Sequence, residues 1–295
     1  MKFFQYSYLI LFAVLIVGCG NDELIEENPN LKTDTAQGRN LNGNENVLLR
    51  LNLAAGTQYS IVSDVNSNME GAGITANSVI TMDFNIDVKS VENDTTKMEA
   101  VYNRIQMSMK SPMSDMTYDS EKPDETTGPV ASIMKDKFGG IVGNVLSFNS
   151  NKRAQIVEAL DFTEMLGEDD SGKEQKDQMN QTFHQLFIEY PEEEVTVGST
   201  WTVSNEEYGA SKTTYTVTEI EDDVVVLSIA GEMGGDSGMG GDMEGTSTGS
   251  LTVDRSTGFP TGLDVQQDAL VTQMGVEMKV IIKMNLKISQ KTDAE

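Results

Sequence analysis

From residue 276 to 288 apolar and polar positions alternate almost without a break. Val276, Met278, Val280, Ile282, Met284, Leu286 and Ile288 fall on one side; Glu277, Lys279, Ile281, Lys283, Asn285 and Lys287 fall on the other. A period of two sustained this long describes a half-buried strand and cannot be a helix face. Ile80, Met82, Phe84, Ile86 and Val88 repeat it against Thr81, Asp83, Asn85, Asp87 and Lys89. Val47, Leu49, Leu51 and Leu53 do so again, with Arg50 and Asn52 outward, which predicts a strand there as well. One apolar and one wetted face imply antiparallel pairing. A strand of this length covers roughly 43 Å, well beyond the usual five or six residues. Such strands coil, so the pattern predicts a strongly twisted sheet or half-open barrel, with a flat sandwich as the alternative.

Helical periodicity is confined to the middle of the chain. Met179, Phe183, Leu186, Phe187 and Tyr190 form one apolar stripe, which Pro191 ends. A shorter helix is expected over 129–134, with Pro129 at a tolerated first-turn position, and another around 162–166. The fold class is therefore mainly β: a long, twisted antiparallel sheet over 47–290 with one or two packed helices. The stripe at 179–190 is expected to cover the apolar face where the sheet fails to close.

Parts of the β pattern occur twice. Gly56-Thr57-Gln58-Tyr59-Ser60-Ile61 matches Gly198-Ser199-Thr200-Trp201-Thr202-Val203, and 86–94 matches 215–223. Leu146-Ser147-Phe148-Asn149 resembles Leu251-Thr252-Val253-Asp254. Two related halves, 47–166 and 190–290, joined by a helix near 173–190, account for these matches; chance likeness between β-meanders is the competing account.

Ahead of the sheet the pattern changes. Residues 1–18 carry a single charge, Lys2, and an uncharged run from Tyr8 to Val17. The run is too short for a bilayer span, which needs about 20 apolar residues, and it fits a secretory signal. Its end, Leu15-Ile16-Val17-Gly18-Cys19, resembles the bacterial lipobox, which implies cleavage before Cys19 and acylation of that residue. Buried acyl chains contribute roughly 0.8 kcal/mol per methylene, so two or more anchor a protein stably. Cys19 is the only cysteine, so no intramolecular disulfide is expected. Residues 19–46 are polar and acidic, too poor in apolar side chains to offset chain entropy, and are expected to form a disordered tether. Gly20 stands where an aspartate would resemble an inner-membrane retention signal, which favours the outer membrane, on its periplasmic or its cell-surface face.

The net charge of −26 argues against nucleic acid as a partner, because phosphate binding requires a Lys/Arg footprint. Candidate chemistry is sparse. The single histidine, His184, has no Gly-x-Ser-x-Gly elbow to serve, and no zinc ligand set exists. Acidic pairs such as Glu168-Asp169-Asp170 and Asp222-Asp223 lack EF-hand spacing and read as solvated loops. The glycine-rich stretch 231–243 holds Met233, Met239 and Met243, thioethers of the kind that bind Cu(I), but reads first as a flexible loop. Asp34-Thr35-Ala36 and Asp94-Thr95-Thr96 resemble a bacterial O-glycosylation sequon. No catalytic residue, metal ligand or cofactor is nominated.

The segment Tyr190-Pro191-Glu192-Glu193-Glu194-Val195-Thr196-Val197-Gly198-Ser199-Thr200-Trp201 resembles a recurring signature of Bacteroidota lipoproteins of unknown function. Leu49–Leu53, Gly56–Tyr59 and the turn Asp254–Gly258 match the same group. Glu194 stands where many such proteins have proline. The resemblance implies an outer-membrane lipoprotein and supplies no active site. Three readings follow: a non-enzymatic carrier whose methionine-, valine- and isoleucine-rich face holds an apolar small molecule, a surface module for a protein partner, or a hydrolase using carboxylates. In each the membrane partner is reached through Cys19. Cys19→Ser is expected to leave an uncleaved precursor without incorporated palmitate; a labelled, processed variant would remove the anchor.

Overall fold

The computed structural model describes residues 45–71, 73–112, 115–128, 135, 138–157, 187–205, 211–236, 242–273 and 275–291. Eleven strands form one antiparallel sheet that does not close: β1 (Gln58–Gly71), β2 (Ile74–Glu92), β3 (Thr95–Lys110), β4 (Asp115–Asp119), β5 (Val145–Asn151), β6 (Thr200–Asn205), β7 (Ser211–Ile220), β8 (Val224–Asp236), β9 (Asp242–Asp254), β10 (Pro260–Gln273) and β11 (Val276–Lys291). The order across the sheet is β4-β3-β2-β1-β11-β10-β9-β8-β7-β6, with β5 paired to the lower part of β3. Nearly every neighbour is a hairpin partner. The exceptions are β5, which pairs with β3 across the intervening β4, and β1 with β11, which pair along all of β1 and join the first and last strands at the sheet's middle.

The alternation read from the sequence becomes the two faces of this sheet. Ile61, Val65, Ile80, Phe84, Ile86, Val280, Ile282 and Leu286 are buried and belong to one continuous apolar cluster. Their neighbours in sequence, such as Lys279, Lys283 and Lys287, are exposed on the other side. At β9 the inward positions are Gly245, Ser247, Gly249, Leu251 and Val253. A Cβ on Gly249 would lie 2.2 Å from the Asp264 carbonyl oxygen, and one on Gly245 2.4 Å from that of Asp268. Strands β9 and β10 thus approach more closely than any side chain permits, as glycines allow at a tight bend in a sheet.

Two sequence expectations are corrected. Residues 47–53 form an extended strap and not a sheet strand; only Val47 makes a bridge, to Val195. The alternation survives because an extended chain still points Val47, Leu49, Leu51 and Leu53 inward, where all four are buried. The strap's backbone bonds to turns instead: Leu51 N–H donates to Lys152 O, and Asn52 N–H to Thr257 O, each at 2.8 Å. Packed helices are not borne out among the described residues, where the one complete helical element is the 3-10 turn Pro123–Glu125. The stripes at 129–134, 162–166 and 179–186 lie outside the described residues. Phe187–Tyr190, the end of the expected helix, are irregular. Pro191 holds Tyr190 out of the helical region, and the local backbone bonds outward. Tyr190 N–H donates to Arg153 O, and Trp201 Nε1 donates to Glu189 O, both at 2.9 Å.

Strap, turns and this irregular segment plug the end of the sheet opposite the hairpin tips. Tyr59 stacks on Phe259 at 3.9 Å, and Phe187 packs edge-on against Phe148 and Phe259. The buried Tyr190 hydroxyl donates to Gly258 O at 2.8 Å. Arg50 donates to Pro191 O and Glu192 O, while Arg153 donates to Tyr190 O and pairs with Glu189 and Glu192. Asp254 caps its turn by accepting from the backbone and hydroxyls of Ser256 and Thr257. Burial pushes its carboxyl up, but those bonds outweigh burial and leave its pKa below the ordinary value.

The repeated sequence segments occupy matching geometry. Gly56 and Gly198 both have positive φ, +86° and +91°. Gly56 N–H donates to Val88 O and Val88 N–H to Thr57 O; Gly198 N–H donates to Val217 O and Val217 N–H to Ser199 O. The register slips just after each valine, at Val88/Ser90 and Val217/Glu219. The third match is shifted by two: Asn151 faces Thr95 as Asp254 faces Val224, so Asn151, not Asn149, occupies the position of Asp254.

Gly258 and Gly56 give a paired test of the plug. Both are left-handed, but a Cβ on Gly258 would sit 2.0 Å from Arg50 O, whereas one on Gly56 meets nothing within 4 Å. Gly56→Ala should cost about 1–2 kcal/mol in urea unfolding, the left-handed penalty alone. Gly258→Ala should cost more than that and free the strap to proteolysis; equal losses would contradict the close approach.

Candidate functional site

The concave face divides along its length. At the plugged end it is aromatic and aliphatic. From mid-sheet to the hairpin tips it is dominated by methionine: Met69 on β1, Met82 on β2, Met107 and Met109 on β3, Met116 on β4, Met233 on β8, Met243 on β9, Met278 and Met284 on β11. With Met98 near the plug, all ten described methionines belong to the same apolar cluster. Five of them (Met69, Met82, Met243, Met278 and Met284) are only half-buried. Unbranched thioether side chains adapt to irregular apolar shapes, which suits a surface meeting a variable partner.

Charge is kept off this face. The inward positions of β1, β2, β8, β9, β10 and β11 carry no Asp, Glu, Lys or Arg among the described residues. The acidic side chains lie on the convex side and in turns. Polar groups do interrupt the apolar surface, at Ser63 on β1 and along one row nearer the tips. Ser78 and Ser67 share a hydrogen bond at 2.9 Å; Gln267 and Ser247 continue the row beyond Ile282, and Gly231 and Thr213 end it.

A cleft of about 350 Å³ lies on the opposite, convex face, over β2, β3 and β4, with Val79, Thr81, Gln106, Thr117, Asp119 and Lys122 among its walls. Its one strongly perturbed acid is already engaged. Arg104 grips both oxygens of Asp119 at 3.1 and 2.6 Å and holds its pKa down to about 2, helped by the Glu121 N–H and the Gln106 amide. This arrangement ties β4 to β3 and leaves Asp119 no free oxygen for chemistry.

The residues singled out by sequence are scattered. Cys19, Thr35, His184 and the 168–172 acidic run lie outside the described residues. Asp222 and Asp223 sit in the β7–β8 turn, and no cluster of three or more potential metal ligands occurs among the described residues. Thr95 is half-buried at the start of β3, behind a tight turn in which Asn93 and Asp94 both have positive φ. The expected glycine loop is corrected: 231–236 and 242–243 are strand, with Gly235 facing Met243. Glycine there serves close strand packing, and Met233 is buried in the core. Peroxide treatment should oxidise the five half-buried methionines before Met98, Met107, Met109, Met116 and Met233, as read by peptide mass spectrometry. Uniform rates would contradict this division of the face.

Among solved structures, lipovitellin, described for its lipid–protein interactions, shares the fold with a TM-score of 0.51 at 11% identity. The match covers 82% of this chain and 26% of lipovitellin, so the chain spans about a quarter of that protein's length. The translocator domain of the autotransporter NalP from Neisseria meningitidis aligns at TM-score 0.23 and 6% identity, over 80% of this chain and 89% of its own. An outer membrane channel from Pseudomonas putida F1 aligns at 0.24 and 7%, over 81% and 97%. No curated protein matches the chain in sequence. The model of the family of unknown function DUF6263 matches residues 93–260, more than half of the chain, and the chain belongs to that family.

Proposed function

We propose that the protein is a lipid-anchored envelope protein that holds an apolar ligand against the methionine-rich part of its concave face, as a binding or carrier protein and not a catalyst. One observation carries the reading: every described methionine belongs to a single uncharged concave surface, and half of them are only partly covered. Burying a Leu- or Met-sized apolar group yields about 1.5–3 kcal/mol, so a few such contacts with a hydrocarbon chain suffice for micromolar binding. The lipovitellin likeness supports the architecture as one able to present such a face, and its lipid–protein interactions make a lipid the first ligand to test. The anchor at Cys19 and the tether over 19–46 would place this face near a membrane, in the outer membrane on the lipobox reading. We further infer that β1-β2-β3-β5 and β6-β7-β8-β9 descend from one ancestral unit, supported by the matched glycine turns and register slips.

Protein purified from its own host should carry an extractable lipid, seen by native mass spectrometry. Met82→Gln/Met284→Gln should lose about tenfold or more in affinity for a pyrene-labelled alkane, since two half-buried thioethers that the ligand would cover are replaced by amides without partners. A wild-type protein that carries no lipid and takes up no alkane would overturn the carrier reading.

A further inference from the structure

The cleft over the convex side of β2, β3 and β4 lies on the other face of the sheet from the apolar site. Two rows of outward side chains make its floor. Val79, Ser108 and Thr117 stand in register across the three strands, and Thr81, Gln106 and Asp119 form the adjacent row. The turn after β4 makes the outer wall through Lys122 and Glu125. That turn is pinned at both ends. Ser120 exchanges hydrogen bonds with the Ile105 backbone at 2.9 and 3.0 Å. Thr127 bridges back to Thr117, where the two hydroxyls lie 2.9 Å apart. The cleft of about 350 Å³ is thus preformed, at the small end of ligand pockets.

Its charges are already partnered: Asp119 with Arg104, and Lys122 with Glu125. What remains for a ligand is neutral and polar. Ser108 makes no side-chain hydrogen bond among the described residues. Gln106 commits its Nε2 to Asp119, which leaves Oε1 as an acceptor, and Thr81 donates to Asp64 but can still accept. Val79, 44% exposed, adds an apolar patch beside them. We propose that this cleft binds an uncharged sugar residue, its hydroxyls bonded to Ser108, Gln106 and Thr117 and its C–H face laid on Val79. Serine and threonine hydroxyls donate and accept, as sugar hydroxyls do, so each can satisfy the other. The exposed Lys122–Glu125 pair contributes little to stability, so both side chains are free to turn toward the ring. An anion is disfavoured, because Asp119 and Glu125 crowd the one ammonium. A metal cation is disfavoured too, because Arg104 holds both oxygens of Asp119.

Saturation-transfer NMR on the full mature protein tests this, with glucose, galactose, mannose, N-acetylglucosamine and a disaccharide of each as probes. Inorganic phosphate and glycine serve as charged competitors. Wild type should bind at least one sugar with a Kd of about 1 mM or tighter. Ser108→Ala, which removes one hydrogen-bonding group, should weaken it about threefold to tenfold. Val79→Lys, which lays a long side chain over the floor from an outward strand position, should abolish it with the melting temperature close to wild type. Uptake of the pyrene-labelled alkane should be the same in both variants, so failure of the cleft and failure of the carrier reading are distinguishable. A disaccharide held about tenfold more tightly than its monosaccharide would assign a glycan chain; equal affinity would assign a free monosaccharide, and either supports the cleft. Absence of binding by every sugar would overturn it. So would sugar binding that both variants leave unchanged, and displacement of the sugar by phosphate or glycine would overturn the assignment of an uncharged ligand.

Discussion

The structure depends on how an open sheet with one apolar face keeps that face from water. A flat eleven-stranded sheet would expose it whole. Curling lets inward side chains pack on one another, and curling demands that some strands approach without side chains between them. Gly245 and Gly249 on β9 meet that demand against β10, where a methyl group would collide with a backbone carbonyl. The wetted convex side and the turns then carry the acidic side chains of the described strands. Edge strands stay short, five residues in β4 and six in β6, which limits pairing with other chains.

The strands around the middle of the sheet were legible because their inward residues are large. Period two is plain at 80–88 and 276–288, and both form strands with the expected faces. It vanishes over 242–250, where the inward residues are Met, Gly, Ser and Gly and the outward ones Asp, Glu, Thr and Ser. Glycine lets β9 lie against β10, and glycine also erases the alternation that would mark the strand. The strap failed in the opposite direction. Its alternation is genuine, but alternation reports an extended chain with one buried side, and it does not say whether the hydrogen bonds go to a strand or to turns. The end of the 179–190 stripe shows the same limit. Phe187 and Tyr190 are buried as an apolar stripe predicts, yet Pro191 and the arginine clamp give their backbone other partners.

The candidate site was legible in kind and not in place. A methionine-rich concave face follows from the strand pattern, because Met82, Met278 and Met284 recur on the apolar side. The polar row across that face does not follow. It needs Thr213, Gly231, Ser247 and Gln267 from four strands to share a row, and register between strands is fixed by turns and bulges that no single segment encodes.

Stability and binding are consequently placed at opposite ends of the same sheet. At the turn end, rings of fixed shape interlock: Tyr59 on Phe259, Phe187 on Phe148, and the Tyr190 hydroxyl fixed to Gly258. These contacts join the strap, the 187–192 segment and the turns that follow β5 and β9, so losing one loosens elements far apart in the chain. At the tip end the strands run as plain hairpins, and their inward methionines change rotamer at little cost. A face that must admit ligands of varied shape needs such tolerance, while a sheet without closure needs one rigid end. The division accounts for the rings gathered at the turn end and for the half-buried Met69, Met243 and Met278 at the tips, beyond the polar row through Ser67, Gln267 and Ser247.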